Sequence, residues 1–380
     1  FRPRHREHGD QGVSLVDLPD PSRHRRALQA ADDQIFARRS DQQDDSRPEI
    51  HFAAPTGWMN DPNGLLFFEG RYHLFYQYNP FGNRWGPMHW GHATSTDLVT
   101  WEHLPVALAP SEEYDLDPEG GCFSGSVVDD HGVMSILYTG SVIRDGQLVQ
   151  VQCLATSADG RRFDKYEHNP VIAAPPAGHS SSSFRDPKVF RHGGRWYMVV
   201  GSSIDGRGCA LLYSAEELTH WTYLGVLAVG VDDMGSMWEC PDLFPVDDTW
   251  VLMFSPMGTG AVKTIYLVGE MDFAECRFTW RSRGQVDHGI DFYAPQTYLA
   301  ADGRRLLIAW MNSWHWMPGF KDFGPPWITT WCGSLSLPRE VRLRDGERLT
   351  FAPVHETHRL RTAEEEPIHA VLDEGTHELP

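Results

Sequence analysis

A short unit with proline or glycine at its second position recurs five times along this chain, and this repeat constrains the fold more than any other feature. Its copies begin at residues 61, 124, 186, 240 and 294. Each copy is followed by a turn and then by an apolar run, at residues 72–76, 133–137, 196–200, 250–254 and 306–310. Such a long internal period indicates one structural unit that is used five times.

The pattern within each period is that of β-structure. Beyond residue 50, short apolar runs alternate with Gly, Asp and Asn turns, which is typical of antiparallel strands. The period leaves room for about four strands per unit, as in one blade of a β-propeller. The sequence therefore predicts an all-β fold, a five-bladed β-propeller over residues 49–355. Proline is tolerated at the start of an innermost strand because its missing N–H faces the axial cavity.

The two ends of the chain differ from this repeat. Residues 1–48 are rich in Arg, Asp, Gln and His and hold one short helical pattern, around residues 23–39. They are predicted to form a polar N-terminal arm or a single docked helix. Residues 356–380 follow the last blade, and the first part of this segment has the composition of a linker.

Charge and hydropathy narrow the choice of partners. A formal net charge of −19 argues against nucleic acid and against an anionic membrane surface, since both need clustered Lys and Arg. A small neutral substrate fits better. No stretch approaches the roughly 20 apolar residues that cross a bilayer. We expect a cytoplasmic protein of open oligomeric state, and secretion also stays open because the chain starts at Phe1 without an initiator Met.

Three acids lie at the openings of the repeated strands and are candidates for catalysis. Asp61, Asp186 and Glu239 would occupy equivalent blade positions and meet in one axial funnel. Carboxyl groups packed this closely have pKa values that move apart, so one can act as a nucleophile while another donates a proton. This combination is typical of glycoside cleavage. The plainer reading of any one of them, such as Asp61 before Pro62, is a turn that caps its own backbone.

Metal binding is the second alternative for these acids, because carboxylates along a propeller axis can hold calcium. Arg185 beside Asp186 argues against a cation and favours a carboxylate or sugar partner. The six cysteines lie far apart and form no C-x-x-C pair. We therefore expect neither a metal nor an organic cofactor.

The residues around these acids suit a carbohydrate. Hydroxyl groups could be bound by polar side chains, whereas sugar faces could pack on aromatic rings. The polar candidates are Asn60, Gln77, Ser124 and Arg185, and the aromatic ones are Trp58, Trp85 and Phe123. Each alone has a plainer reading, since Trp85 and Phe123 could pack between blades.

Three motifs carry a resemblance to a known family. Residues 58–64 (WMNDPNG), 184–187 (FRDP) and 238–241 (WECP) closely resemble, in this order, the signature motifs of family 32 glycoside hydrolases, the invertase and β-fructofuranosidase family. Residues 85–92, 123–126 and 337–340 also look like that family. The similarity runs over residues 51–353, and it is specific because several long motifs agree in order and spacing.

The resemblance implies a mechanism and a role for each residue. It implies a five-bladed propeller followed by a β-sandwich, and cleavage of terminal β-D-fructofuranosides such as sucrose with retention of configuration. Asp61 would be the nucleophile, Glu239 the general acid and base, and Asp186 the transition-state stabiliser. Fructose-pocket positions map onto Asn60, Gln77, Trp85, Phe123, Ser124 and Arg185.

The C-terminal end and one loop depart from the family pattern. The β-sandwich is expected to be missing or truncated, with residues 371–380 as at most its first strand. The region 314–331 is expected to form a pocket rim, with Trp314 and His315, that sets substrate preference. If the substrate carries a phosphate group, the basic side chain that binds it could be Arg84, His315 or Lys321.

Four alternatives to a sucrose hydrolase stay open from the sequence. Within the same family they are a sucrose-6-phosphate hydrolase and a fructosyltransferase. An inverting pentosidase also uses a five-bladed propeller with three acids. The last alternative is a sugar-binding propeller without catalysis.

Overall fold

The described part of the chain folds into a single α-helix and five sheets, whose strands are antiparallel apart from one short parallel pair. A computed structural model describes residues 21–39, 47–260, 262–289, 291–311, 314 and 331–361. Within these ranges helix α1 (Pro21–Arg39) precedes the strands, and a 3-10 helix (His355–Leu360) follows them. The strand expected at residues 371–380 lies outside the described residues. The division into an arm, a propeller and a C-terminal segment stays a prediction.

Each sheet is a blade made mainly of strands that follow one another along the chain. The strands are β1 (Gly57–Phe68), β2 (Arg71–Asn79), β3 (His89–Ser95), β4 (Glu102–Leu108), β5 (Gly121–Asp130), β6 (Val133–Arg144), β7 (Gln147–Ser157), β8 (Asp164–Lys165), β9 (Phe184–His192), β10 (Arg195–Ile204), β11 (Arg207–Ala215), β12 (Thr222–Val229), β13 (Met237–Val246), β14 (Thr249–Met257), β15 (Ile265–Asp272), β16 (Arg277–Gln285), β17 (Tyr293–Leu299), β18 (Arg305–Met311), β19 (Trp331–Cys332), β20 (Ser334–Leu335), β21 (Arg339–Arg344) and β22 (Arg348–Pro353). Consecutive groups of four, from β1 to β16, form blades one to four. Blade five consists of β17, β18, β21 and β22. The predicted all-β fold with five blades is confirmed.

The first strand of each blade lies innermost. Strand β1 contacts β5 and β17, β9 contacts β5 and β13, and β13 contacts β17, so these five strands form a closed ring. The apolar runs that follow the repeated units form the second strands of the blades. A closed ring of inner strands places residues that are distant in sequence around one axis.

A β-bulge interrupts every inner strand at the repeated unit. The pairing with the second strand skips residues 60–61 in β1, 124 in β5, 186–187 in β9, 240–241 in β13 and 294–295 in β17. Three of the repeated prolines therefore lie where no ladder bond needs their N–H. The sequence predicted these prolines at the starts of the strands. They lie inside the strands instead, because the bulge provides a position that tolerates proline. A bulge also redirects side chains, here at the ring's axis.

Buried tryptophans fix the inner strands against the rest of their blades. Trp90, Trp238 and Trp310 are fully buried. Trp238 stacks on Phe254 with ring centroids 3.7 Å apart, and its Nε1 donates to the carbonyl of Met234 at 2.7 Å. Since Trp238 immediately precedes Glu239, this packing holds the backbone that carries the third acid.

Two short strands between β18 and β21 of blade five connect this blade to blade one. Strand β19 pairs in parallel with the start of β1, and β20 pairs with β18 of blade five. Gly333 between them has a φ of +92°, and a Cβ there would lie 2.2 Å from the carbonyl oxygen of Met59. Only glycine fits this crossing. Blades one and five are therefore joined directly.

Helix α1 docks on blades one and two. His24 Nε2 accepts the backbone N–H of Ala109 at 3.2 Å, and Asp32 Oδ1 accepts that of Val106 at 3.0 Å. Ala31, in the middle of the helix, is fully buried. None of the described helices is long and apolar enough to span a membrane.

Buried histidines make the stability of this fold depend on pH. Burial lowers the pKa of His73, His89 and His103 to about 4. The unfolded chain takes up these protons near pH 6.5. Their contribution to the free energy of unfolding is therefore fully present above that pH and is lost as the pH falls from about 6.5 towards 4.

Replacing His103 with Phe is expected to make the free energy of unfolding fall less steeply as the pH is lowered. The ring of His103 lies 5.1 Å from that of Phe52, and its buried Nδ1 has no hydrogen-bond partner among the described residues. Removing one titrating group changes the pH slope of the unfolding free energy by at most about 1.4 kcal/mol per pH unit. Urea unfolding between pH 7.5 and about pH 4.5 measures that slope. His131→Asn, at an exposed turn, is the control, and equal slopes in both variants would contradict the assignment.

Candidate active site

A cavity of about 640 Å³ lies at one end of the ring of inner strands. It brings together all three predicted acids and all six residues predicted to bind fructose, and Trp314, which was predicted at the pocket rim, also lines it. Its lining residues are Asn60, Asp61, Gln77, Trp85, Glu119, Phe123, Ser124, Leu148, Gln150, Ser182, Ser183, Arg185, Asp186, Ser236, Met237, Glu239, Met257 and Trp314. His315 and Lys321 lie outside the described residues, and Arg84 does not line the cavity.

Asp61 is held by one carboxylate oxygen and leaves the other without a partner. Ser124 Oγ donates to Oδ2 at 2.8 Å, and Cys240 Sγ lies 3.6 Å from the same atom. Oδ1 is buried and has no hydrogen-bond partner among the described residues. Burial, and then the charge of Glu239, raise the pKa of Asp61 to about 6, while the bond from Ser124 opposes this shift. Near neutral pH, Asp61 is thus an ionised carboxylate with one free oxygen.

Asp186 is fixed through its backbone as well as its side chain. Its φ is +64°, its N–H donates to Thr139 Oγ1 at 3.0 Å, and its Oδ2 accepts the N–H of Cys240 at 2.9 Å. Burial raises the pKa of Asp186, with Glu239 and Asp61 acting in the same direction and Arg185 opposing them. Each carboxyl therefore disfavours ionisation of its neighbour.

Glu239 bridges two neighbouring blades. Arg185 donates to its Oε1 through Nε at 3.0 Å and through Nη2 at 2.9 Å. On the other side, the Tyr293 hydroxyl donates to Oε2. Both oxygens of Glu239 are thus oriented before any substrate arrives.

The three residues of this bridge share one register position. Arg185, Glu239 and Tyr293 are each the last paired residue before the bulge in β9, β13 and β17. The expectation that the three acids occupy equivalent positions needs correction. Asp61 and Asp186 lie within the bulge, where blade four has Cys240, and Glu239 lies one residue earlier.

Sequence reasoning missed Tyr293 and Gln150. Tyr293 stands directly before the fifth repeated unit, so the shared register with Arg185 and Glu239 could have indicated it. Gln150 lies on β7, outside the repeat, and no sequence signal marks it. Its Oε1 accepts from Arg185 Nη1 at 3.2 Å, and its buried Nε2 has no partner among the described residues.

The predicted sugar-binding residues divide into those at the cavity and one that supports them. Gln77 donates to the carbonyl of Cys122 at 2.9 Å, and the rings of Trp85 and Phe123 meet edge to face with centroids 5.9 Å apart. Trp58, by contrast, is buried and does not line the cavity. Its Nε1 donates to Asn60 Oδ1 at 2.9 Å, so Trp58 orients that amide.

Comparison with known proteins identifies the family to which this chain belongs. Residues 51–353 match the glycosyl hydrolases family 32 N-terminal domain. The chain belongs to glycosyl hydrolase family 32. The resemblance inferred from the three motifs is confirmed, and an inverting pentosidase of another family loses its support.

Curated relatives of this family 32 chain include two from Escherichia coli. A sucrose-6-phosphate hydrolase is 45% identical over 83% of this chain, and a raffinose invertase is 44% identical over the same share. The chain spans 66% of the length of each. Among solved structures, a β-fructofuranosidase from Bombyx mori superposes with a TM-score of 0.79 at 37% identity. That match covers 89% of this chain and 72% of the silkworm protein.

Proposed function

We propose that this protein is a retaining hydrolase of terminal β-D-fructofuranosides, with sucrose as its simplest substrate. The observation that carries this proposal is the pairing of Asp61, which has a free carboxylate oxygen, with Glu239, which is oriented from both sides, in one cavity. The names of the curated relatives and of the silkworm enzyme support the substrate class. The expected cytoplasmic location stays a prediction.

In the first step, Asp61 Oδ1 attacks C2 of the fructosyl ring. The bond between C2 and the bridging oxygen breaks, an ester forms between C2 and Asp61, and Glu239 gives its proton to the departing oxygen. Glucose leaves when the substrate is sucrose. Because Asp61 is already held by Ser124, the attack needs little reorganisation.

In the second step, water cleaves the ester. Glu239, now ionised, takes a proton from water, the hydroxide adds to C2, and Asp61 departs as a carboxylate. Two inversions at C2 give net retention. Asp186 is proposed to hold fructose hydroxyls and to stabilise positive charge that develops on the ring in both steps.

The hydroxyl of Tyr293 suits a contact with Glu239, whose carboxyl group loses and regains a proton during this cycle. Arg185 can only donate hydrogen bonds, whereas a hydroxyl can donate to an ionised carboxylate and accept from a protonated one. Tyr293 can therefore keep its contact with Glu239 in both steps, and we propose that it positions the acid.

Replacing Tyr293 with Phe is expected to lower kcat for sucrose by about tenfold, the effect of one hydrogen bond to a charged group, and to leave KM nearly unchanged. Steady-state kinetics give both constants. Tyr298→Phe is a matched control, because Tyr298 is a buried tyrosine of the same strand whose hydroxyl has no partner among the described residues. Equal kcat values in the two variants would contradict the positioning role.

The fall of kcat/KM at low pH, the acid limb of the activity profile, is expected to follow the protonation of Asp61. Protonation removes the nucleophile, so kcat/KM should fall tenfold per pH unit below about pH 6. Ser124→Ala removes a bond that favours the ionised form and should move this limb to higher pH. Ser126→Ala is the control, since Ser126 bonds to backbone groups of blade three. A limb that stays in place in Ser124→Ala would show that another group controls it.

The proposal is tested by following sucrose with wild-type protein in an NMR tube. Retention predicts β-D-fructofuranose as the first fructose anomer and, in added methanol, methyl β-D-fructofuranoside. Folded protein that leaves sucrose and kestose intact would instead support a sugar-binding propeller. Accumulation of kestose from sucrose at the expense of free fructose would support a transferase.

Sucrose 6-phosphate is a second candidate substrate, favoured by the name of one Escherichia coli relative. Arg185 is the basic side chain among the described lining residues, and Glu239, Gln150 and the carbonyl of Ser182 already engage it. Glu119 adds a further carboxylate to the wall. We therefore propose that unphosphorylated sucrose is used at least as well, and competition between the two sugars measures this preference.

A further inference from the structure

A second cavity, of about 510 Å³, lies at the opposite end of the inner strands. It shares no lining residue with the candidate active site. In every inner strand, the residues that line it follow the bulge, as with residues 64–67 of β1 and 188–192 of β9. We refer to it as the distal cavity.

Lys188, Asp242 and Thr297 line the distal cavity and form a layer of polar contacts, and none of them lines the candidate active site. Lys188 Nζ donates to Gln296 Oε1 at 2.8 Å and to the carbonyl of Thr297 at 2.7 Å, and it lies 3.1 Å from Asp242 Oδ2. Asp242 Oδ2 also accepts the N–H of Thr297 at 2.7 Å. These contacts use all three protons of the ammonium group. Lys188 and Asp242 therefore neutralise each other within the layer.

The distal cavity keeps positive charge that this pair does not neutralise. Arg305 and Arg191 both line it, in a chain whose formal net charge is −19. Asp242 is the one acidic side chain among its described lining residues. Since Asp242 is already paired with Lys188, the two arginines leave an excess of positive charge at this end of the axis.

Arg305 is partly buried, and among the described residues no carboxylate lies within ion-pair distance of it. The charge of Asp242 acts on Arg305, but Asp242 is already paired with Lys188. Arg305 Nη1 donates to Thr297 Oγ1 at 3.3 Å, and its guanidinium lies 5.0 Å from the centroid of the Phe244 ring. Its Nε is buried with no hydrogen-bond partner within the described residues. Burial of an unpaired charge is unfavourable. An anion in the distal cavity would supply both the missing charge and an acceptor.

Aromatic rings form much of the remaining wall. Phe67, Phe190, Phe244, Trp250 and Tyr298 line the distal cavity, and they come from blades one, three, four and five. The rings of Phe190 and Trp250 lie 6.0 Å apart. Such walls accept a flat apolar body, while a few polar groups fix its orientation.

We propose that the distal cavity binds a small organic anion with a flat apolar body, its carboxylate or phosphate on Arg305 and its body among the aromatic rings. This site is independent of the proposed hydrolysis.

Ligand-observed NMR with benzoate and with phenyl phosphate tests the site. Comparing the two probes shows whether it prefers a carboxylate or a phosphate group. At least one probe should bind the wild type, and neutral benzyl alcohol should bind at least about tenfold more weakly, because it lacks the charge that a guanidinium recognises. Arg305→Gln should weaken the anion by about tenfold or more, and Arg195→Gln, at an exposed position, should not. Saturating fructose should leave binding unchanged.

Amide hydrogen exchange of the wild type locates the probe without any variant. Benzoate or phenyl phosphate should slow exchange in residues 188–192 and around Arg305, and leave residues 123–124 unchanged. The proposal is overturned if neither anion binds, if fructose displaces it, if benzyl alcohol binds equally, or if folded Arg305→Gln binds as the wild type does.

Discussion

Replacing Asp61 with Asn is expected to lower sucrose turnover by about 10⁴-fold or more, as loss of a covalent nucleophile does in other hydrolases. The amide has the shape of the carboxylate and can still accept the bond from Ser124, but it is neutral and a poor nucleophile. The loss should therefore appear in kcat while binding of fructose persists. Glucose release from sucrose measures turnover, and ligand-observed NMR with fructose measures binding.

Asp205→Asn is the matched control for this experiment. Asp205 lies at an exposed hairpin turn with a φ of +51°, a conformation that Asn also accepts. The same chemical change outside the cavity should leave turnover at the wild-type level. Turnover by Asp61→Asn within tenfold of the wild type would assign the nucleophile to another group, and Asp186 would then be the next carboxyl to replace.

The fold could be predicted because the sequence repeats the element that the architecture repeats. Five copies of a unit with Pro or Gly gave the number of blades, and the apolar runs after them gave the second strands. The repeat also placed Asp61 and Asp186 at the axis, since equivalent positions of a closed ring must converge. Local patterns were informative here because each blade is built from neighbouring segments of the chain.

The bulges could not be predicted from the same repeat. A bulge is a property of the pairing between two strands, and proline in a strand is equally consistent with a strand start. This difference moved Glu239 out of the position of Asp61 and Asp186. It also hid Tyr293, whose role depends on how the register of three blades aligns.

The sequence also did not indicate two cavity side chains that lie outside the repeat. Gln150 reaches the cavity from the third strand of blade two, and Glu119 reaches it from the segment before β5. Nothing in their sequence neighbourhood indicates a site. Their proximity to the acids is a result of blade geometry, which a single sequence does not encode in a readable pattern.

The two ends of the axis show how one repeat yields two environments. Before and within the bulges the inner strands present Asp61, Asp186 and Glu239, whereas beyond them they present Lys188 and aromatic rings. Asp242 balances the charge of Lys188, so the two arginines carry the excess positive charge of the distal cavity. A negative cavity suits a neutral sugar that gains positive charge during reaction, and the distal end, with opposite charge, is suited to a different ligand.

Replacing Glu239 with Gln is expected to slow sucrose cleavage by about 10³-fold, within the range for loss of a general acid. The amide cannot protonate the departing oxygen, so a substrate whose leaving group needs no proton should escape most of this loss in the first step. With 4-nitrophenyl β-D-fructofuranoside, we expect a burst of nitrophenol and then slow turnover, because the base of the second step is also gone.

Mass spectrometry of the stalled Glu239→Gln protein should then detect one fructosyl group on the peptide that contains Asp61, and azide should restore turnover by replacing water without a base. Glu119→Gln is the matched control, since Glu119 lines the same cavity without contacting Arg185 or Tyr293 in the described structure. It should behave as the wild type. If the activated substrate suffered the same loss as sucrose in Glu239→Gln, with no covalent intermediate, Glu239 would be acting through its ion pair with Arg185 and not as the proton donor.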